Sequence, residues 1–231
     1  MFDKLLQLPL FQGLTHEEFQ RLIESFPFHF LKAADGERIA TVGEPCSHLR
    51  FIVAGAVRFS TSSRVLRVAV EHTLDSPDVI APDHLFGLDT RYPFDAWASG
   101  ETALLQIKKL DFLDMLSHSH VLAINILNYL SRNAQSVKYQ LMGMQNVRVA
   151  ERLALIATLF TAQRSRDIKI VYRQRDLNHV LGLQSSRIAL ADTCAQFQKM
   201  GLVRETAPGE ISFGNRQDLI DFLNDNFQPA D

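Results

Sequence analysis

The feature that most constrains the fold of this chain is a run of apolar residues with alternating spacings of four and three positions. The run consists of Ala123, Leu127, Leu130, Ala134, Val137, Leu141 and Met144. Such spacing is typical of a long α-helix that meets another helix, so residues 119–146 are predicted to form one. A second stripe, at Leu122, Ile126 and Tyr129, lies beside the first. We expect one face to cover the chain's own domain and the other to form a parallel homodimer. Packing of the whole stripe on the chain's own domain is the open alternative.

The residues before this helix have the composition of a β-sheet. Between Phe28 and Gln106, short runs rich in valine, isoleucine, phenylalanine and threonine are separated by turn signals such as Asp35-Gly36. We predict roughly six to eight short strands in an antiparallel β-roll. A short helix precedes them, because Thr15 and Glu18 have the spacing of a capping box. This first domain is assigned to residues 1–118.

Residues 147–231 carry a third pattern. The periodicity predicts a helix over 149–162, a short strand over 168–172, and two helices separated by a turn. Apolar runs joined through Ala207-Pro208-Gly209 then predict a β-hairpin, followed by an amphipathic helix over 216–227. Helix, helix and hairpin in this order are typical of a winged helix-turn-helix. The fold class is therefore α+β: a β-roll, a long dimerisation helix, and a winged helix-turn-helix domain.

Composition and charge exclude several other classes of protein. With 46% hydrophobic and 22% charged residues, the 231-residue chain is typical of a globular protein. No apolar run approaches the roughly 20 residues that span a bilayer, and the first residues lack the pattern of a secretory signal, so we expect a cytoplasmic protein away from membranes. The formal net charge of −2 gives no general attraction to nucleic acid. Cys46 and Cys194 are too few for an iron–sulfur or zinc cluster, and no metal site is expected.

Two segments resemble those of a known family. They are Leu8-Pro9-Leu10-Phe11-Gln12-Gly13-Leu14 and Gly43-Glu44-Pro45-Cys46-Ser47-His48-Leu49-Arg50-Phe51-Ile52-Val53-Ala54-Gly55-Ala56-Val57. They resemble the cyclic-nucleotide-binding-like sensor domain of the cyclic-AMP receptor protein and fumarate–nitrate regulator (CRP/FNR) family, and the order of predicted elements is similar over nearly the whole chain. The resemblance implies a transcription regulator, not an enzyme, that binds a roughly palindromic double-stranded DNA operator as a homodimer, with RNA polymerase as a further partner. Gly43 and Gly55 are expected at strand corners, where a positive φ favours glycine.

The resemblance also indicates where an effector would bind. The family's cassette resembles Phe-Gly-Glu-Leu followed by Arg-Ser-Ala, whereas this chain has Leu88 in place of the glutamate and Phe94 in place of the arginine. Without these two charges neither the ribose nor the cyclic phosphate is held, so cyclic AMP is not expected. An apolar or planar ligand such as haem, or a cavity filled by its own side chains, stays open. The candidate pocket residues are Gly87, Leu88, Phe94, Asp95, Ala96, Trp97, Val137, Lys138 and Leu141.

The C-terminal part contains the second resemblance. Arg175-Asp176-Leu177-Asn178-His179-Val180-Leu181-Gly182 resembles the first helix of the family's DNA-binding motif, and the segment from Ser186 to Thr193 resembles its recognition helix. A serine cap suits phosphate, and an arginine one step inside can bind guanine, so Arg187 is the first choice for base recognition. The candidate DNA-binding residues are Arg187, Ser186, Ser185, Ala189, Gln174, Arg175, Arg173 and Lys169. Six basic and two acidic residues between Arg164 and Arg187 give this region a local charge of +4.

Three departures from the family limit the resemblance. The turn after Gly182 is about two residues longer than usual, while Ile188 and Asp192 stand where the family has a glutamate and an arginine. The family's common operator is therefore not expected. Two alternatives are kept: a regulator of the same fold that needs no effector, and a sensor or scaffold whose winged helix binds protein. No nucleophile–base motif, phosphate-binding glycine loop or zinc spacing supports an enzyme.

Overall fold

The computed structural model describes residues 5–63, 67–143, 148–182 and 187–226, with the backbone alone described at 140–143, 187–189 and 226. The chain divides into two compact units. The first contains Met1–Arg58 and Asp75–Ser136, and the second contains Phe59–Leu74 and Val137–Asp231. The sequence pattern places boundaries at residues 118 and 146, and gives no sign that residues 59–74 join the C-terminal unit.

The first unit contains an antiparallel β-sheet. Its strands are β1 (His29–Ala33), β2 (Arg38–Ala40), the first part of β3 (His48–Ser63), β5 (Asp78–Ile80) and β6 (Asp95–Lys108). Strand β6 pairs with β1 and β2 and lies next to β3, and β5 pairs with β3. With β4 (Val68–Asp75), the described residues between 29 and 108 form six strands, at the lower end of the predicted range.

Helices precede and follow this sheet. Helix α1 (His16–Ser25) begins with the predicted capping box: Thr15 Oγ1 accepts from the Glu18 amide at 3.2 Å, and the Thr15 amide donates to Glu18 Oε2 at 2.8 Å. The Phe11 ring packs edge-on against Phe19, with centroids 5.0 Å apart, and so fixes α1 in the core. Helices α2 (Lys109–His118) and α3 (His120–Gly143) follow the sheet.

Helix α3 has the two different faces that its sequence predicts. Leu122 and Ile126 are buried, which confirms that the second apolar stripe packs inside the chain's own unit. The first stripe stays outside: Leu127 is 62% exposed, Val137 is 43% exposed and Ala134 is also exposed. Packing of the whole first stripe on the chain's own domain is therefore wrong. Of its other members, Ala123 and Leu130 are half-buried, only the backbone of Leu141 is described, and Met144 lies outside the described residues.

The sequence predicts Gly55 at a strand corner. This prediction is wrong, because Gly55 lies inside the long strand β3. Its φ of +78° is as predicted, and a Cβ there would collide with the Glu101 carbonyl oxygen and lie 2.9 Å from Thr102 Cα. The glycine lets β3 continue close to β6. One long strand therefore stands where the predicted corner would separate two strands. Gly43, with a φ of +84°, lies in a turn between β2 and β3.

The second unit combines a sheet with helices. Its elements are the end of β3, β4, α4 (Val149–Leu159), β7 (Arg166–Tyr172), α5 (Gln174–Val180), α6 (Arg187–Lys199), β8 (Val203–Ala207), β9 (Glu210–Asn215) and α7 (Arg216–Asn226). Strand β7 pairs antiparallel with β4 on one side and β9 on the other, and β8 pairs with β9. The core lies between this sheet and the helices, where Leu153, Phe197 and Phe213 are fully buried. Helix α4 ends at Leu159, three residues before the predicted end.

Candidate nucleic-acid interface and effector region

Helix α5 begins directly after β7 and presents two cations. The Arg173 carbonyl accepts from the amides of Asp176 and Leu177, at 2.9 and 3.1 Å, and so begins the helix. The side chains of Arg173 and Arg175 are exposed and form no ion pair with any residue that the structure describes. The neighbouring Gln174 is engaged, since its amide donates to Asn178 Oδ1 at 3.0 Å. Two arginines therefore remain available for an anion at this helix end.

Two other cations of the predicted basic region, Arg166 and Lys169, are paired with carboxylates. Lys169 Nζ lies 2.9 Å from Glu210 Oε1, and this hydrogen bond raises the pKa of the lysine. Arg166 pairs with Asp167, which also accepts from Arg204 Nη1 at 2.7 Å. The local charge of +4 counted along the sequence is thus reduced by one acid, Glu210, that the fold brings in from β9. Lys169 can bind phosphate only if its ion pair opens.

Arg152 holds the end of helix α5. From α4 its Nη1 donates to the Leu181 carbonyl at 3.1 Å, next to Gly182, whose φ is +69°. A Cβ on Gly182 would lie 2.5 Å from that same Nη1. Glu151 beside it is buried, and its Oε2 has no hydrogen-bond partner in the described chain. Sequence reasoning missed Arg152, although a Glu-Arg pair that interrupts an apolar helix is a usable signal.

Helix α6 begins at Arg187, where the sequence predicts the recognition helix. Its inner face packs Leu190, Thr193 and Phe197 into the core, while Asp192 is exposed. Ser185 and Ser186 lie outside the described residues, and only the backbone of Arg187 and Ala189 is described. Residues 181–186 separate α5 from α6.

Leu88 is predicted to line an effector pocket, and the structure places it on the surface. This leucine is fully exposed, and Gly87 beside it is exposed as well, because both lie in the irregular segment after the Pro82–His84 turn. An effector role for Leu88 stays a prediction.

Trp97 also lies away from the interior of the sheet. Along β6 the buried residues are Ala96 and Ala98, so Trp97 between them points to the opposite face. The guanidinium carbons of Arg58 and Arg38 lie 4.8 and 5.5 Å from its ring centroid. The indole of Trp97 therefore makes cation–π contacts with two arginines.

Asp95, the first residue of β6, has a structural role. Its Oδ1 accepts from the Val42 amide at 3.2 Å and lies 3.9 Å from Arg38 Nη1. The Phe94 ring packs on Tyr92, with centroids 5.9 Å apart. A carboxylate and a phenyl ring here offer no cation for a phosphate, so these residues do not fit a cyclic nucleotide.

The remaining pocket candidates belong to the second unit. Val137 and Lys138 are exposed, and the side chain of Leu141 is not described. Their part in an effector site stays a prediction. Among the described residues there is no group of three or more side chains able to hold a metal ion. Burial raises the pKa of both thiols, Cys46 and Cys194, which makes them poor nucleophiles. No described helix has the length and apolar character needed to cross a bilayer.

Comparison with known proteins identifies the fold. Residues 30–119 match the family model of the cyclic nucleotide-binding domain. The catabolite activator protein of Thermus thermophilus is similar with 20% identity and a TM-score of 0.52, over 94% of this chain and 99% of that chain. FixK2 from Bradyrhizobium japonicum is similar with 18% identity and a TM-score of 0.45, over 85% of this chain and 97% of that one. DNR from Pseudomonas aeruginosa is similar with 17% identity and a TM-score of 0.44, over 96% of each. A comparison with curated protein sequences gave no match.

The chain therefore contains a cyclic nucleotide-binding domain, within an α+β fold similar to that of a catabolite activator protein. The resemblance to the CRP/FNR family that its two N-terminal segments indicate is confirmed. The family match includes residues 82–97, which contain Leu88 and Phe94.

Proposed function

We propose that this protein is a transcription regulator that binds double-stranded DNA as a homodimer. The observation that carries the proposal is the order of α5, α6 and the β8–β9 hairpin, which is that of a winged helix-turn-helix. Exposed Arg173 and Arg175 stand at the start of α5, and Arg187 stands at the start of α6. Guanidinium groups at helix starts bind phosphate oxygens and guanine edges.

The candidate residues take different roles in this interface. Arg187 is proposed to recognise a base, with Ser185, Ser186 and Ala189 beside it on the DNA. Arg173 and Arg175 are proposed to bind phosphates, which positions the protein without selecting a sequence. Gln174 and Lys169 would bind DNA after giving up their present partners, Asn178 and Glu210.

The exposed stripe of α3 supports the homodimer. Leu127 of this stripe is 62% exposed, and its neighbour Ile124 is 56% exposed. Contiguous apolar surface of this kind can mark an interaction site. Pairing two such helices would place two recognition helices about 34 Å apart, which suits a roughly palindromic operator. The same family resemblance implies contact with RNA polymerase and a cytoplasmic location, and we propose both.

We propose that the regulator does not respond to cyclic AMP. The replaced charges at Leu88 and Phe94 carry this point, together with the ion pair that Asp95 forms with Arg38. The exposure of Leu88 and the arginines on Trp97 also weaken the case for haem or another apolar ligand at this loop. They favour the alternative in which the regulator acts without an effector.

The test of DNA binding is selection of an operator from random duplexes, followed by affinity measurements over a range of salt. We expect the logarithm of affinity to fall linearly with the logarithm of salt concentration. Arg175→Ala should reduce the magnitude of that slope by about one. Arg187→Ala should weaken specific binding by about 1–3 kcal/mol. Arg21→Ala, which removes an exposed arginine from α1, is the matched control.

One observation favours a second candidate function, binding of a protein by the winged helix. Asp192 is exposed on α6, where a carboxylate facing DNA would repel phosphate. If no duplex is enriched and affinity for DNA stays weak at every salt concentration, the DNA-binding proposal fails and this candidate replaces it.

A further inference from the structure

The second unit contains a hairpin taken from the middle of the cyclic nucleotide-binding domain. Residues 59–74 lie inside the 30–119 family match, yet they belong to the compact unit that holds the helix pair. Strand β3 passes into this hairpin at Phe59, and the Arg67 amide donates to the Ser63 carbonyl at 2.7 Å to close it. The returning strand is β4.

Strand β4 completes the sheet of the second unit. It pairs with β7 in antiparallel register, with Ala69 opposite Val171 and Val70 opposite Ile170. Without β4, one side of β7 would expose unpaired backbone groups, because its other side is already occupied by β9.

The hairpin also completes the core of this unit. Val68 and Val70 are 3% and 1% exposed, within the same cluster as Leu153 and Ile156 of α4. Buried valines cannot leave such a cluster without opening a cavity among their neighbours.

Two polar contacts join the hairpin to other parts of the unit. His72 is buried, stacks on Phe59 with ring centroids 4.9 Å apart, and lies with its Nδ1 3.0 Å from Ser165 Oγ. Arg67 Nη1 lies 3.8 Å from Asp176 Oδ1, on the first helix of the proposed DNA-binding pair. The contacts thus extend from the hairpin to helix α5.

We propose that the hairpin within Phe59–Leu74 is a permanent part of the DNA-binding unit. The proposal rests on the proposed function for the name DNA-binding unit, but not for the attachment itself. A hairpin that supplies a sheet strand and two core residues is a fixed component of a unit. A segment that only docked on the unit would, by contrast, leave its sheet and core complete after moving away.

The attachment is tested by amide hydrogen exchange on the full-length protein. Val70→Ala leaves a cavity in the second unit, so amides of α4, at residues 149–159, should exchange about tenfold faster or more. Val57→Ala is the matched control, because Val57 is equally buried on β3 but lies in the first unit. Unchanged exchange of α4 in Val70→Ala would overturn the proposal.

Permanence is tested by a cross-link between the two paired strands. Ala69→Cys with Val171→Cys places two thiols on directly opposite residues, within the range that a disulfide spans. Mass spectrometry identifies the bond, and the two single variants under the same oxidant are controls. We expect the oxidised double variant to bind the selected operator within twofold of its reduced form.

The outcomes separate the two proposals. A tenfold loss of affinity on oxidation, reversed by reductant, would show that the hairpin must leave the sheet for DNA binding and would overturn the permanent attachment. Failure of the cross-link to form would overturn it as well. If the reduced protein binds no DNA, the proposed function fails, and the exchange rates of Val70→Ala still decide whether the hairpin belongs to the unit.

Discussion

The buried histidine of the hairpin predicts how the second unit responds to acid. His72 is 5% exposed, between the Phe59 ring and the Ser165 hydroxyl. Burial, with a smaller contribution from the Arg216 charge, lowers the pKa of its imidazole to about 3. In the unfolded chain the pKa is about 6.5. Below that pH the unfolded chain takes up a proton that the folded unit excludes.

The sign and size of the effect follow from this difference in pKa. The stabilisation by neutral His72 is complete above pH 6.5 and declines as the pH falls towards 3, by about 1.4 kcal/mol for each pH unit. Between pH 7 and pH 5, the free energy of unfolding of the second unit should therefore fall by about 2 kcal/mol through this residue alone.

The assay is urea unfolding at pH 7 and pH 5, with the second unit followed by amide exchange of α4. His72→Asn is the matched variant, since asparagine offers a polar atom to Ser165 but does not titrate in this range. Fluorescence of Trp97, which lies in the first unit, is an internal control. If wild type and His72→Asn lose equal stability on acidification, the buried neutral histidine is not the cause and the reasoning is refuted.

Four further outcomes are expected. Gly55→Ala should destabilise the protein by more than about 1–3 kcal/mol, because backbone collision adds to the positive φ; Gly36→Ala, with open space around it, should show the φ effect alone in thermal unfolding. Thr15→Ala should cost about 1 kcal/mol by removing the cap of α1, measured by the same melting experiment. Gly182→Ala should displace the Arg152 guanidinium and weaken operator binding, while thermal unfolding shows whether the unit stays folded. Leu127→Asp should give monomers in sedimentation, and an unchanged mass would contradict the dimer seam.

Much of the first unit's organisation could be read from local sequence. The capping box at Thr15 and Glu18, the buried second stripe of α3, and the positive φ of Gly43 depend on residues close together in the chain. Helix and strand periodicity reports which face is apolar, and burial then follows. In the second unit the hairpin of β8 and β9 was predicted for the same reason, because a short turn at Pro208-Gly209 joins its strands. Both strands run two residues beyond their predicted ends at residues 205 and 213.

The candidate site was predicted less completely. Arg173 and Arg175 are exposed as a DNA-binding role requires, but the ion pair between Lys169 and Glu210 could not be foreseen. Those two residues are 41 positions apart, and only the pairing of β7 with β9 brings them together. Local charge counting misses such partners because a strand's neighbours come from distant sequence.

By itself the sequence determined the order and type of the elements and the two-faced character of α3. The tertiary structure decided that Leu88 is exposed, that Trp97 lies under two arginines, and that residues 59–74 complete the C-terminal sheet. The physical reason is the same in each case. Periodicity encodes which face of an element is buried, whereas the partner that buries it depends on long-range strand pairing and core packing.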